Sequence, residues 1–284
     1  MISLDRGLTQ RAERYLLARD VSVGYQDQIR QRIAAFCEFV GCDIREDAVT
    51  ADLVNEWLAG MQAAGHSPHT VDGYRRAILA VVNDEDECCG TKLPFLRLRR
   101  IKKPRQIIEA YNHKEIRAIL DAAALIVGRL PNGNRRDDFW VGIIEAAYST
   151  GLRRGDLLTI PYESIRPDGT LTRVQNKTGV LADVIFSREA MVRLGRLGHP
   201  SGLAFAWPYH LSYFAPHFEQ IKKKAGVKRG TFKWLRRSCG SYAERDNPGM
   251  GHRALGQTSD KCFKASYEDR TISKPKGVTP PPLG

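Results

Sequence analysis

The sequence predicts a mainly α-helical protein with one small β-hairpin, an α+β chain in two domains. Three observations carry that expectation. Apolar residues recur three and four apart through most of the chain, which is the period of amphipathic helices. One stretch, "LTRVQNKTGVLADVIFS" at 171–187, reads instead as two short strands around a turn. The 284 residues, 42% hydrophobic and 27% charged, suffice for two modest domains with separate cores.

The opening segment "MISLDRGLTQRAERYLLARD" lacks the apolar core of a signal peptide and reads as an amphipathic helix. Ile29, Ile33, Phe36 and Val40 form the apolar stripe of a second helix. Thr50 caps a third, carrying Leu53, Val54, Trp57, Leu58 and Met61, which Gly65 closes. Ser67 caps a fourth with Pro68 at its first position; Val71, Tyr74, Ile78 and Val81 face inward, Arg75 and Arg76 outward. These elements make a helical bundle over residues 1–96. Residues 97–105, "RLRRIKKPR", are basic at six of nine positions, and Pro104 discourages a continuous helix. They read as an interdomain linker. On composition it is as well a solvated segment as a DNA contact. Its place before a basic domain favours one that crosses a phosphate backbone with Arg99, Arg100, Lys102 and Lys103.

Residues 106–270 form the second domain. Helices are expected over Lys114 to Val127 and Asp137 to Tyr148. Strands Leu171 to Asn176 and Val180 to Phe186 follow, turning at Lys177-Thr178-Gly179. Helices resume near Ser187, then at Tyr213 to Ala225, Thr231 to Glu244 and Ser259 to Tyr267. Residues 271–284 are a Pro-rich, flexible tail.

The formal charge of +12 points to a polyanionic partner, and it is unevenly placed. Residues 1–105 carry 16 Lys/Arg against 15 Asp/Glu, whereas residues 106–284 carry 28 against 17. One domain therefore presents a phosphate-facing surface. No apolar run is long enough for a membrane span, and a cytoplasmic location is expected. The six cysteines show no metal-ligand spacing and read as free thiols. His66 and His69 straddle the helix start at Ser67-Pro68, which argues against a joint ligand role. No metal or cofactor is expected.

The chemistry concentrates at four places. Arg153 lies at a helix–helix turn in "STGLRRGDLL", and Lys177 lies 24 residues on, at the hairpin tip. Between Lys222 and Arg237, "KKKAGVKRGTFKWLRR" holds eight basic residues and no acid, with Lys222, Lys223, Lys228 and Arg229 as candidate backbone contacts. Within it, Lys233 and Arg236 share a helix face. Tyr267 comes last. Taken singly, each has an ordinary structural reading: Arg153 as a helix cap, Lys177 as a turn lysine, Tyr267 as a core aromatic. Together, several fixed cations and a hydroxyl nucleophile suit transfer of a DNA phosphodiester onto tyrosine. Guanidinium forks match the nonbridging oxygens, and a lysine can protonate the departing oxygen.

These residues resemble those of the tyrosine recombinases, the phage-integrase family. "TGLRRGDLL" is similar to the family's first arginine motif and gives Arg153. Lys177 matches the hairpin lysine. "KWLR" resembles the His-x-x-Arg box and gives Arg236, with Lys233 in place of the histidine. "ALGQTSDKCFKASYED" resembles the segment leading to the nucleophile and gives Tyr267. "EAYNHKEIRAILDAA" resembles the opening of the catalytic domain, and residues 8–82 resemble the helical, SAM-like core-binding domain.

Gln257 departs from the pattern, since the family usually has histidine there. It lies 10 residues before Tyr267, the family's usual interval; His252, 15 before, is the alternative. The loss of one such hydrogen-bonding partner costs about 10- to 1,000-fold in rate. The resemblance implies a site-specific recombinase or integrase of a mobile element. It would act on double-stranded DNA as a homotetramer, through a 3′-phosphotyrosyl bond. Tyr267 would be the nucleophile, Arg153 and Arg236 the oxyanion clamps, Lys177 the general acid, and Lys233 and Gln257 auxiliary contacts. Asp156 would orient neighbouring basic groups. A non-catalytic DNA-binding relative and a type IB topoisomerase are the alternatives.

Overall fold

A computed structural model describes residues 7–84, 93–104, 107–199 and 201–274. The chain divides into two compact units, residues 1–106 and 107–284.

The first unit is built from α1 (Leu8–Leu17), α2 (Val23–Val40), α3 (Ala51–Ala63) and α4 (Pro68–Val82). Ser22, Thr50 and Ser67 cap the last three with their side-chain oxygens, which satisfies amide groups that helix starts leave orphaned. Leu8, Ile29, Ile33, Phe36, Val54, Trp57, Val71 and Ile78 fill the core. Arg11 is wholly buried there, and the reason lies at the far end of α4. Its guanidinium donates to the Val81 and Val82 carbonyls and to Glu46.

The segment read as a linker lies on this unit along part of its length. Leu96 and Leu98 belong to the bundle core, and the Arg99 amide donates to Asn55. Arg105, Cys88 and Cys89 lie outside the described residues, as do residues 275–284 of the proline-rich tail.

The second unit comprises α5 (His113–Ala124), α6 (Arg136–Thr150), α7 (Arg154–Leu157), β1 (Thr170–Val174), β2 (Leu181–Ile185), α8 (Arg188–Leu194), α9 (Phe214–Lys224), α10 (Lys233–Asp246), α11 (Gly251–Ala254), α12 (Asp260–Ser266) and α13 (Arg270–Ser273). Asn112 and Glu115 close a capping box at the start of α5. Helix α6 is its centre. Phe139, Trp140, Ile143 and Ile144 are all buried, so the helix is enclosed on every side. Around it pack Ile119, Leu171, Val184, Phe205, Phe214, Phe218 and Leu235. The strands pair antiparallel, with Leu171 opposite Val184 and Val174 opposite Leu181. A satellite cluster of Leu255, Phe263 and Tyr267 lies beside this core. Among the described residues no helix is long and apolar enough to cross a membrane.

Most differences from the expected elements are shifts of one to three residues at their ends. Helix α5 stops at Ala124 rather than Val127, because the chain turns at Gly128 (φ +95°) to pair Leu130 with Asn134.

Candidate active site

The turn between α6 and α7 is set by Gly151. Its φ of +62° lets α6 end, and a Cβ there would lie 2.7 Å from Leu255 and 3.0 Å from Cys239. Two residues on, Arg153 occupies the N-cap of α7 in extended conformation and makes no capping bond with its side chain. The question raised by "STGLRRGDLL" is what that arginine faces.

It faces a cleft of about 410 Å³, lined by Arg153, Lys177, Lys233, Arg236 and Tyr267, with Arg154, Phe214, Phe218 and Thr231 among the other walls. Five of the six residues expected from the motifs therefore meet in one place, although they span more than a hundred positions of sequence. Lys177 stands exposed at the hairpin tip, and the turn that carries it is closed by bonds between Gln175 and Val180, 2.9 Å, and Gly179 and Gln175, 2.9 Å.

Tyr267 is only 9% exposed. It follows α12, held there by Phe263, and so carries both roles the sequence left open: it packs in a core cluster and it lines the cleft. The Lys233 ammonium lies 5.0 Å from its ring centroid and the Arg236 guanidinium 5.2 Å. Burial on its own raises the phenol's pKa. The charges of Arg236, Lys233 and Arg153 and a hydrogen bond with Arg236 outweigh it, so the group is held below its ordinary value.

Arg236 is buried, and its fork is fixed by backbone: it donates to the Gly151 carbonyl and, at 2.8 Å, to the Leu255 carbonyl. Burial and then the charge of Arg153 lower its pKa. The two guanidiniums line the same cleft, where their mutual repulsion favours an anion between them. Asp156, buried beneath, accepts from the Asn176 amide at 2.9 Å and lies 3.8 Å from Arg153 and 3.9 Å from Arg173.

Gln257 and His252 differ from the other five. Neither lines the cleft. Both amide atoms of Gln257 and the Nδ1 of His252 are buried with no hydrogen-bond partner among the described residues. Such orphaned groups are unfavourable unless something else completes them.

Of the residues expected to touch the DNA backbone, one is buried and several others have ion-pair partners within the protein. Lys222 is 1% exposed: it pairs with Glu219 at 2.9 Å and donates to the Arg229 and Gly230 carbonyls. The expectation that it faces DNA is corrected. Lys222 lies one helical turn after Phe218, hence on the inward face of α9, and the helical period was the signal to read. Arg229 is held by Glu109 at 2.8 Å and Glu115 at 2.9 Å. In the first unit, Arg75, Arg76 and Lys103 all converge on the buried Asp72, at 3.3, 3.0 and 2.5 Å. Lys223, Lys228, Arg99, Arg100 and Lys102 are exposed.

The motifs did not single out Gln175. It is wholly buried, accepts from Arg153 through its side-chain carbonyl, and donates through its amide to the Leu255 and Gly256 carbonyls, each at 3.1 Å. Its alternation with Leu171 and Arg173 puts it on the inward face of the hairpin, a period-two signal present in the sequence.

The fold is that of DNA-bound recombinases of known structure. A lambda integrase tetramer bound to a Holliday junction superposes with a TM-score of 0.70 at 19% identity, covering 99% of this chain and 81% of that one. The XerH site-specific recombinase in its post-cleavage complex with a palindromic difH substrate gives 0.67 at 17% identity, over 93% and 82%. The Tn1549 transposon integrase in complex with circular intermediate DNA gives 0.62 at 13% identity, over 92% and 95%. At these identities the likeness is one of fold. No protein-family model matches the sequence, and no curated protein does.

Proposed function

We propose that the chain is a tyrosine-type DNA strand transferase, a site-specific recombinase or integrase working through a 3′-phosphotyrosyl intermediate. One observation carries this reading. The Tyr267 phenol lies beneath Lys233 and Arg236 in the cleft that Arg153 and Lys177 also line.

In the proposed step, the Tyr267 oxygen attacks the scissile phosphorus. A phosphorus–tyrosyl oxygen bond forms and the bond to the 5′-oxygen breaks. The depressed pKa eases loss of the phenolic proton to solvent before attack. Arg153 and Arg236 hold the nonbridging oxygens by charge-assisted bonds made in advance of the reaction. Lys177, on its exposed turn, gives a proton to the departing 5′-oxygen. Religation reverses the sequence, with a 5′-hydroxyl attacking and Tyr267 leaving. Bond energy is conserved in the phosphotyrosyl link, so ATP has no part. Lys233 adds a further cation, and the buried, unpartnered amide of Gln257 would have to move to reach the substrate. Double-stranded DNA is the partner, and a homotetramer is the assembly the fold suggests.

A non-catalytic DNA-binding reading has one observation in its favour: Gln257 is uncharged and stands back from the cleft lining. A covalent trap separates the two. The protein is mixed with nicked duplexes made from DNA flanking its own gene, and denaturing gels are run beside Tyr267→Phe. An adduct that disappears in Tyr267→Phe is the expected result. Binding in a gel shift with no adduct would favour the second reading, and Gln257→His would then tell whether that residue is the lesion. Plasmid relaxation by isolated monomers would point instead to a topoisomerase.

A further inference from the structure

We infer that Gln175 is a positioning residue for Arg153, and that it ties the Lys177 turn to the segment leading to Tyr267. The inference rests on the strand-transfer reading above. Among the described residues, the bond to Gln175 is the one side-chain hydrogen bond that the Arg153 guanidinium makes; Asp156, at 3.8 Å, is beyond hydrogen-bonding distance. An arginine with several rotatable bonds has many rotamers open to it. A single acceptor that is itself immobile selects one of them.

Gln175 is immobile because every polar group it has is engaged. Its backbone amide donates to Val180, its backbone carbonyl accepts from Thr178 and Gly179, and its side chain spans Arg153 and the Leu255 and Gly256 carbonyls. The Leu255 carbonyl also accepts from Arg236 at 2.8 Å. Two groups, the Gln175 amide and the Leu255 carbonyl, therefore link the guanidiniums of Arg153 and Arg236. Gly256 makes the approach possible. Its φ is +56°, and a Cβ there would overlap both the Gln175 amide and Ala182.

The chemistry requires an amide. Only Asn or Gln supplies an acceptor for a cation and donors for two carbonyls at once, and Gln has the longer reach. A glutamate would repel those carbonyls and divert the charge of Arg153 from the phosphate.

The test is a double-mutant cycle on adduct formation with nicked duplex at saturating protein, using Gln175→Met, Arg153→Lys and the pair. If Gln175 acts through Arg153, Gln175→Met slows cleavage roughly 10- to 100-fold in the wild-type background and less than about 3-fold beside Arg153→Lys. Gel-shift affinity changes less than about 3-fold throughout. Gln175→Glu keeps the side-chain volume and is expected to be as slow as Gln175→Met. Equal losses in both backgrounds would overturn the inference in favour of a purely structural role. So would wild-type cleavage by either Gln175 variant. A wild-type protein that forms no Tyr267-dependent adduct would remove the parent reading and this one with it, so the two failures are told apart by the wild-type lane.

Discussion

Tyr267 shows how a single side chain records competing forces. Its burial favours the neutral phenol, and three nearby cations favour the phenolate; the cations prevail. An ultraviolet difference titration, wild type minus Tyr267→Phe, should accordingly show a midpoint below the ordinary value of 10.0. The same titration on Arg236→Met should move that midpoint upward, because burial remains while the first of the opposing charges is gone. The sign carries over to cleavage, which should accelerate as pH rises through the Tyr267 titration and do so at higher pH in Arg236→Met. A midpoint unmoved by Arg236→Met would mean that the two groups do not interact. Lys222 and Lys223 make a second contrast, since of two neighbours in one basic run the first is buried and the second exposed. Lys222→Met should lower the stability measured by urea unfolding by leaving two carbonyls and Glu219 without their partner, whereas Lys223→Gln should leave that stability within about 0.5 kcal/mol of wild type.

Local signals served the elements well wherever they were strong. Thr50, Ser67 and Ser187 all cap helices, and the Lys177 turn joins two paired strands as its sequence predicts. The short helices α7, α11 and α13, of four residues each, left no periodic trace, because four residues complete barely one turn. The capping box at Asn112 predicts that Asn112→Ala costs about 1 kcal/mol in chemical denaturation. The turn at Gly151 is more demanding. Gly151→Ala would combine a left-handed backbone with overlap against Leu255 and Cys239, and should cost roughly 1–3 kcal/mol. It would also displace the carbonyl that receives Arg236. Cleavage should therefore fall further than stability alone explains. Full activity at wild-type stability would contradict the close packing of that turn.

For the whole molecule, the charge contrast between residues 1–105 and 106–284 matters through salt. DNA affinity should fall linearly with the logarithm of salt concentration, and removing one exposed contact, as in Lys228→Gln, should reduce that slope by about 1. Neutralising the inward Lys222 should leave the slope alone. The sequence by itself determined the fold class, the two-domain plan and the ordered set of Arg153, Lys177, Lys233, Arg236 and Tyr267, because caps, periodicity and motif spacing are properties of the chain. Tertiary structure decided the rest. It put those five residues around one cleft, kept Gln257 and His252 from its lining, turned Lys222 inward, and placed Gln175 between Arg153 and the Leu255 carbonyl. Local sequence is silent on such matters, since burial and hydrogen bonding join residues that are about 80 positions apart, and only the packed core brings those groups within reach.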